Sequence, residues 1–285
     1  NANINVNNLI PQDGRFTFLG KNIRLSTMPF GGDGERNKVV LRILSTSDTI
    51  PTIYDLGFSK EEGQMLESLI YKPSGIILIC GPTGEGKTTT LYALINELNQ
   101  TNDYIITTFE DPVERYIDGV AQSQVHYAED ERTNYTFQRG LRSSLRQDPD
   151  VMLVGETRDA ETALTAVQAA QTGHLIFTTL HVRNSVSVFR RLQDIGVNVS
   201  GFAEQIVGIA SQRLLSTLCP HCKHAVKIPK DMLQLLRKQD IALLQKDADG
   251  DPISYVADGC NECDSTGIAG RIPIIEIIPF NNYLR

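Results

Sequence analysis

The sequence lacks three features that would each point to a particular class of protein. It has no apolar run near the roughly 20 residues that a membrane-spanning helix needs, and no signal peptide is visible. It also lacks an excess of positive charge: the net charge is −7, which argues against a chain that mainly coats nucleic acid or anionic lipid. The first residue is Asn1 and not Met, so we expect a fragment of a longer protein.

Cysteine is also scarce, because the 285 residues contain only five. Four of them form two pairs, which favours metal binding in a reducing compartment over a disulfide framework. The fifth, Cys80, lies in the apolar stretch "GIILIC" and is expected to be a buried core thiol. Hydrophobic residues make up 41% of the chain, enough for a sizeable core, and the length suits one large domain with attachments.

The hydrophobic pattern changes along the chain and predicts two regions of different fold. Residues 1–48 alternate with a period of two and read as short antiparallel strands, and 49–58 read as a linker. A helix then starts after Ser59, with Glu62 completing a capping box. From residue 75 strands alternate with helices, which predicts an α/β fold with a mainly parallel sheet over 59–285.

Between residues 75 and 181 the pattern predicts the individual strands and helices. The expected strands are 75–80, 104–110, 151–156 and 174–181, and the expected helices are 87–99, 133–147 and 159–173. After residue 213 the alternation stops in a segment that contains the paired cysteines, and a strand is expected again at 272–280.

A phosphate-binding loop is the most specific motif of the sequence. "GPTGEGKT" matches the pattern G-x-x-x-x-G-K-[ST] in full, follows a predicted strand and opens a predicted helix. Its backbone N–H groups and the helix start should bind phosphate, Lys87 should reach the β and γ phosphates, and the Thr88 hydroxyl should hold Mg²⁺. We expect Glu85 to point outward, because backbone groups bind phosphate at this position. The expected nucleotide-binding residues are Gly81, Pro82, Thr83, Gly84, Glu85, Gly86, Lys87, Thr88 and Thr89.

Acidic and histidine residues follow the predicted strands at the edge where ligands meet an open parallel sheet. Glu110, Asp111 and Glu114 follow one strand and suit metal or water binding, although a solvated acidic turn explains them equally well. His181 ends another strand and is a candidate sensor of the γ phosphate, together with Thr179. His174, at the other end of that strand, is expected to be structural.

Three arginines lie at helical spacing, namely Arg139, Arg142 and Arg146. One interpretation is a solvated helix face, and the other is a face directed at phosphate or at a neighbouring subunit. An arginine can stabilise the charge that develops on a γ phosphate, so Arg142 and Arg146 are candidate catalytic residues.

The four paired cysteines predict a structural zinc site. Cys219-x2-Cys222 and Cys260-x2-Cys263 enclose residues 223–259, a longer spacing than is common. Four thiolates close a tetrahedral zinc site and leave no position for a substrate. His221 and His224 are alternative ligands.

Taken together, the motifs resemble those of the ATPases of bacterial type II secretion and type IV pilus assembly. "GPTGEGKTTTLY", "FEDPVE", "RGLRSSLRQDPDVMLVGETRDAETA", "TGHLIFTTLH" and "LCPHCK…GCNECDSTGIAGR" look like that family's Walker A, Asp box, Walker B, His box and metal-binding insert. "PQDGRF", "RLSTMP" and "GERNKVVLRIL" look like the end of its preceding domain. The resemblance covers nearly the whole chain. The family usually has Ser where this chain has Glu85.

The resemblance implies a fold and an activity. The fold would be a RecA-like P-loop core at 59–285 with a zinc insert at about 216–271, preceded by the C-terminal part of a PAS-like α+β domain at 1–48. In this family the Walker B strand ends in Gly-Glu, so Glu156 would orient and deprotonate the attacking water. Glu110 would then supply the charge of the Asp that Gly155 replaces. Arg24 and Arg42 would contact nucleotide when the N-terminal domain closes.

The resemblance also implies partners and a location. The protein would use ATP, Mg²⁺ and Zn²⁺ and work as a hexamer. It would be cytoplasmic and peripheral to the inner membrane, beneath a platform protein and with other cytoplasmic assembly proteins. The insert favours an assembly or secretion motor over a pilus retraction motor. Two alternatives remain from the P-loop alone: a RecA-like nucleic-acid motor, such as a helicase or packaging ATPase, and a scaffold that switches with nucleotide but does not hydrolyse it.

Overall fold

A computed structural model describes residues 10–30, 36–43, 49–127 and 133–280 of the chain. The chain divides into two compact units, of which the smaller contains residues up to Ile50 together with Glu114–Tyr116. The larger unit contains Pro51–Val113 and the chain from Ile117 onward. Within the larger unit, Ile53 and Phe58 of the predicted linker are buried. Among the described residues, no helix has the length and apolar character that crossing a membrane requires.

The smaller unit is built on an antiparallel sheet of three strands, as the period-two pattern predicts. The strands are β1 (Gln12–Phe18), β2 (Lys21–Phe30) and β3 (Arg36–Ile43), in the order β1-β2-β3. Arg24 of β2 lies directly opposite Arg42 of β3. The structure therefore places the two arginines predicted in this region side by side on neighbouring strands.

The described residues of the larger unit form nine strands. They are β4 (Gly75–Cys80), β5 (Ile106–Glu110), β6 (Ala121–Gln124), β7 (Val151–Val154), β8 (Leu175–Leu180), β9 (Ile206–Leu218), β10 (Lys223–Lys227), β11 (Ile253–Ala257) and β12 (Ile268–Pro279). Seven form one sheet in the order β12-β9-β4-β8-β7-β5-β6. All neighbours in it are parallel except β12, which pairs antiparallel with β9, so the prediction of a mainly parallel sheet is confirmed.

Helices connect these strands. They are α1 (Lys60–Ile70), α2 (Lys87–Gln100), α3 (Phe137–Ser144), α4 (Ala160–Gln171), α5 (Ser187–Asp194), α6 (Val199–Ala203), α7 (Lys230–Gln234) and α8 (Lys238–Ala242). The capping box that Ser59 and Glu62 predict at the start of α1 is present. Every residue of β4, β5, β7 and β8 is buried, as expected for parallel strands covered by helices on both faces.

Helix α3 is shorter than the sequence pattern predicts, and this changes the arginine face. It begins at Phe137 because Tyr135 instead pairs with His126 in an isolated bridge and Thr136 caps the helix. It ends at Ser144, ahead of the left-handed Asp148. Arg139 and Arg142 lie on the helix, whereas Arg146 lies two residues beyond its end. The prediction that all three share one helix face is therefore wrong for Arg146.

The segment with the paired cysteines extends from the end of β9. Strands β10 and β11 form a separate antiparallel pair, and α7 and α8 lie between them in the chain. Strand β12 then returns alongside β9 over Gly208–Leu218. The predicted strand at 272–280 is thus confirmed, but it starts four residues earlier because its pairing with β9 extends to Leu218.

Candidate nucleotide and metal sites

The phosphate-binding motif forms a turn between β4 and α2. Gly84 and Gly86 have φ angles of 85° and 75°, a left-handed conformation that residues with a side chain rarely adopt. Gly86 is the N-cap residue of α2, and Lys87 is the first residue of the helix. The nine predicted nucleotide-binding residues therefore lie in one loop and the first turn of α2, where N–H groups and the helix dipole attract anions.

Lys87 is buried at the base of this loop, with 7% of its surface exposed. Its ammonium group donates to the carbonyl oxygens of Gly81 (2.8 Å) and Pro82 (2.9 Å). Burial lowers the pKa of Lys87 below its ordinary value, and the nearby Glu156 carboxylate opposes that shift. A positive charge is thus held by the loop itself, at the place where a nucleotide's phosphates would bind.

His181 and Glu156 follow the neighbouring strands β8 and β7 and extend this cluster. His181 Nδ1 lies 3.4 Å from Lys87 Nζ, and its Nε2 lies 3.5 Å from Glu156 Oε1. Burial, and then the charge of Lys87, lower the pKa of His181, so the ring is neutral at pH 7. A neutral ring that accepts from Lys87 at Nδ1 carries its proton on Nε2, facing Glu156. The structure therefore brings three predicted residues into one chain of polar contacts.

Gly155 stands where many P-loop proteins have an aspartate, and the packing explains why a side chain is absent. The N–H of Gly155 donates to Phe109 O of β5 (2.8 Å). A Cβ atom at residue 155 would lie 3.2 Å from Phe109 O and 3.5 Å from the Cα of Glu110. A side chain here would crowd the backbone of β5, and the carboxylate at this strand end belongs to the next residue, Glu156.

Arg158 belongs to the same cluster, and the sequence analysis did not single it out. Its Nε atom donates to Glu156 Oε2 (2.7 Å), and its Nη1 atom lies 3.5 Å from Asp111 Oδ2. The signal available in the sequence was its position two residues after Glu156, in a segment without regular structure. The cluster thus alternates in charge from Asp111 through Arg158 and Glu156 to the neutral His181 and to Lys87.

Glu110 lies in a different environment from Glu156. It is buried with 3% of its surface exposed, and its carboxylate accepts hydrogen bonds from Tyr92, Thr108 (2.5 Å) and Gln122 (3.0 Å). Both of its oxygens are therefore engaged by protein donors that hold α2, β5 and β6 together. The role of Glu110 towards a metal ion stays a prediction.

The other predicted arginines are placed apart from this cluster or outside its unit. Arg24 and Arg42 belong to the smaller unit, and their contact with nucleotide stays a prediction. Arg142 and Arg146 are exposed, as is Arg139, whose guanidinium donates to Asn134 O (2.6 Å). Exposure of Arg142 and Arg146 is compatible with contacts to a neighbouring subunit.

The four paired cysteines meet in one cluster. All four sulfur atoms lie within 4.8 Å of one another, and three of the S···S distances are 3.7 to 3.9 Å. Sulfurs bound to zinc at about 2.3 Å in a tetrahedron are about 3.8 Å apart, so the donor set and its dimensions fit Zn²⁺. His224, an alternative ligand, lies 3.5 Å from Asp258 instead.

Backbone N–H groups also stabilise a thiolate in this cluster. Those of Cys260 and Gly267 each point at the Cys263 sulfur from 3.2 Å. The first of them is the main cause that lowers the pKa of Cys263 to about 6. Zinc binds thiolates, so these N–H groups favour the form of Cys263 that a metal requires.

We expect the purified protein to contain about one zinc ion per chain, because four thiolates complete a tetrahedral site. Elemental analysis checks this, and Cys219→Ser or Cys263→Ser should lower both the zinc content and the melting temperature. Cys80→Ala is the matched control, since Cys80 is a buried cysteine of β4 outside the cluster and its loss should leave the zinc content intact. Zinc-free protein whose cluster thiols titrate freely in the folded state would contradict the assignment.

A family model and individual related proteins agree on what this chain is similar to. The family model described as "Type II/IV secretion system protein" matches residues 2–285. Type II secretion system protein E of Pseudomonas aeruginosa is 41% identical over 280 residues, which are 97% of this chain and 53% of that protein. The type IV pilus assembly ATPase PilB of Thermus thermophilus is 38% identical over 282 residues, or 97% of this chain and 30% of PilB.

A solved structure supports the same relationship. The pilus retraction motor PilT with bound ADP is 32% identical, with a TM-score of 0.60 over 86% of this chain and 62% of PilT. The chain spans about half the length of the secretion protein it matches.

Proposed function

Because the chain belongs to the type II/IV secretion system protein family, we propose that it hydrolyses ATP as part of a motor. In this proposal the motor powers assembly of pilin or pseudopilin subunits, in type IV pilus biogenesis or type II secretion. The observation that carries the proposal is the contact of Lys87 with His181 and of His181 with Glu156 beside the phosphate loop. A cation that can bind phosphate and a carboxylate that can orient water are parts that recur in enzymes of phosphoryl transfer, and here His181 contacts both.

Each residue of the cluster has a chemical task in this proposal. Lys87 holds the β and γ phosphates, and the hydroxyl of Thr88, exposed on the first turn of α2, holds Mg²⁺. The metal, when bound, neutralises charge on the phosphate oxygens. Glu156 orients the attacking water and accepts its proton, and His181 links the position of Glu156 to that of Lys87. Arg158 fixes the second oxygen of Glu156.

We further propose that the whole protein is a hexamer, cytoplasmic and peripheral to the inner membrane. Its partners would be a platform protein of that membrane and cytoplasmic assembly proteins. The names of the relatives support this, as do the exposed arginines Arg142 and Arg146, which are available to a neighbour's nucleotide. The net charge of −7 gives no support to a nucleic-acid motor.

Turnover measured against protein concentration tests this proposal. ATP hydrolysis per chain by the full-length protein should rise with concentration and proceed without nucleic acid, because Arg142 and Arg146 would act on a neighbour. Arg142→Ala should abolish the rise, whereas Lys60→Ala, at an exposed lysine on α1, should leave it intact. Turnover per chain that stays constant down to proven monomer would contradict the role of a neighbour. Dependence on nucleic acid would favour the helicase or packaging alternative, and binding without turnover would favour the scaffold.

A further inference from the structure

Beyond Ser211, strand β9 turns from pairing with β4 to contacting the phosphate loop. Cys80 and Ser211 are the last paired residues of the two strands. The next residue, Gln212, is 1% exposed, and both ends of its amide are engaged. Its Nε2 atom donates to Glu85 O (2.7 Å), and its Oε1 atom accepts from Thr90 Oγ1 (2.7 Å). One buried side chain therefore joins β9 to the loop and to α2.

The side chain of Glu85 makes a second connection between the loop and β9. Its Oε2 atom accepts a hydrogen bond from the backbone N–H of Leu214 (2.6 Å). The Glu85 side chain is therefore held against β9 and not left free in solvent. Beyond Ser211, the edge of β9 that faced β4 carries a backbone N–H donor, and the Glu85 carboxylate accepts a hydrogen bond from it. The contact also holds a negative charge against β9.

The loop and β9 are too closely packed to move towards each other. A Cβ atom on Gly81 would lie 2.6 Å from Gln212 O, and one on Gly86 would lie 3.0 Å from Gln212 Nε2. The loop glycines thus permit an approach that a side chain would prevent.

Because the peptide bond is planar, this contact also fixes the direction of a phosphate-binding N–H group. In a trans peptide the C=O of Glu85 and the N–H of Gly86 point in opposite directions. When Gln212 holds the carbonyl towards β9, the N–H of Gly86 is directed away from β9. In a phosphate loop such N–H groups bind phosphate oxygens.

We propose that Gln212 is a positioning residue that fixes the Glu85–Gly86 peptide for nucleotide phosphate binding, and that the Glu85 carboxylate reinforces it through Leu214. The proposal rests on the nucleotide-binding function proposed above. It predicts that Gln212 acts on nucleotide affinity, and not only on the stability of the fold.

The test compares two substitutions that remove different bonds of the same amide. Gln212→Met keeps the length of the side chain and removes both bonds, whereas Thr90→Val keeps its shape and removes only the bond to α2. Equilibrium binding of ADP and thermal unfolding are measured on each. We expect Gln212→Met to weaken ADP binding about tenfold, the size of a lost hydrogen bond that orients a ligand group, and Thr90→Val to stay within about twofold. Both should lower the melting temperature.

A second pair of variants applies if Gln212→Met does not fold. Glu85→Gln removes the charge but keeps an oxygen that accepts from Leu214, and Glu85→Met removes both. We expect weaker ADP binding in Glu85→Met than in Glu85→Gln. Equal affinities in this pair, or a Gln212→Met variant that binds ADP like Thr90→Val, would overturn the proposal and leave Gln212 a structural role only. Failure of the unmodified protein to bind ADP would instead refute the proposed function.

Discussion

Lys87→Ala is expected to reduce ATP hydrolysis at least about 100-fold and to weaken nucleotide binding, because the phosphates lose their fixed cation. The ammonium group is buried, and the loop carbonyls of Gly81 and Pro82 hold it in place. Alanine cannot supply a charge, and water cannot replace one at a buried position. Hydrolysis and binding of ATP by the purified variant measure the effect.

The control for this substitution is an exposed lysine. Lys72→Ala changes the net charge by the same amount outside the cluster and should leave turnover unchanged. Thermal unfolding of Lys87→Ala establishes whether the variant is folded. Normal turnover in a folded Lys87→Ala variant would remove the phosphate loop from the mechanism.

Glu156→Gln is expected to lower turnover by about 10² to 10⁴, the usual effect of losing a general base. The amide keeps the shape of the side chain and one oxygen to orient water, but it loses the charge and the basicity. Nucleotide binding should survive because the phosphate contacts lie in residues 81–88. Glu161→Gln, at an exposed carboxylate on α4, is the control and should retain turnover.

If Glu156→Gln keeps near-normal turnover, Glu110 becomes the candidate for the general base. Glu110→Gln tests Glu110 independently. If Glu110 holds metal-bound water, its amide should raise the Mg²⁺ concentration that gives half-maximal activity. If Glu110 only joins Tyr92, Thr108 and Gln122, the amide should lower the melting temperature and leave the Mg²⁺ dependence unchanged. A magnesium titration together with thermal unfolding separates the two roles.

The four strands β4, β5, β7 and β8 of the sheet could be predicted from sequence because they are buried on both faces. Continuous apolar runs such as "GIILIC" mark them directly, and the paired cysteines and the phosphate loop have fixed spacings. The start of α3 could not be predicted, since Tyr135 is equally compatible with a helix and is withdrawn from it by a bridge to His126. A residue outside the helical pattern, nine positions before Tyr135, decides this boundary.

The candidate sites likewise contain some contacts that the sequence predicts and some that it does not. Lys87, Glu156 and His181 follow strands of one parallel sheet, so their meeting could be expected from topology. Gln212 lies 127 residues from Glu85 in the chain, and no motif links the two. The contact of Glu85 with β9 could therefore not be predicted from the loop alone.

The state of the bound nucleotide tests the central claim most directly, namely that Glu156 prepares water for ATP bound at the loop containing Lys87. The protein is mixed with less than one equivalent of labelled ATP, and the bound label is separated and identified over time. The account predicts that the unmodified protein comes to hold ADP, while Glu156→Gln binds the label equally well and holds it as ATP. Conversion to ADP at the same rate in both proteins would contradict the account.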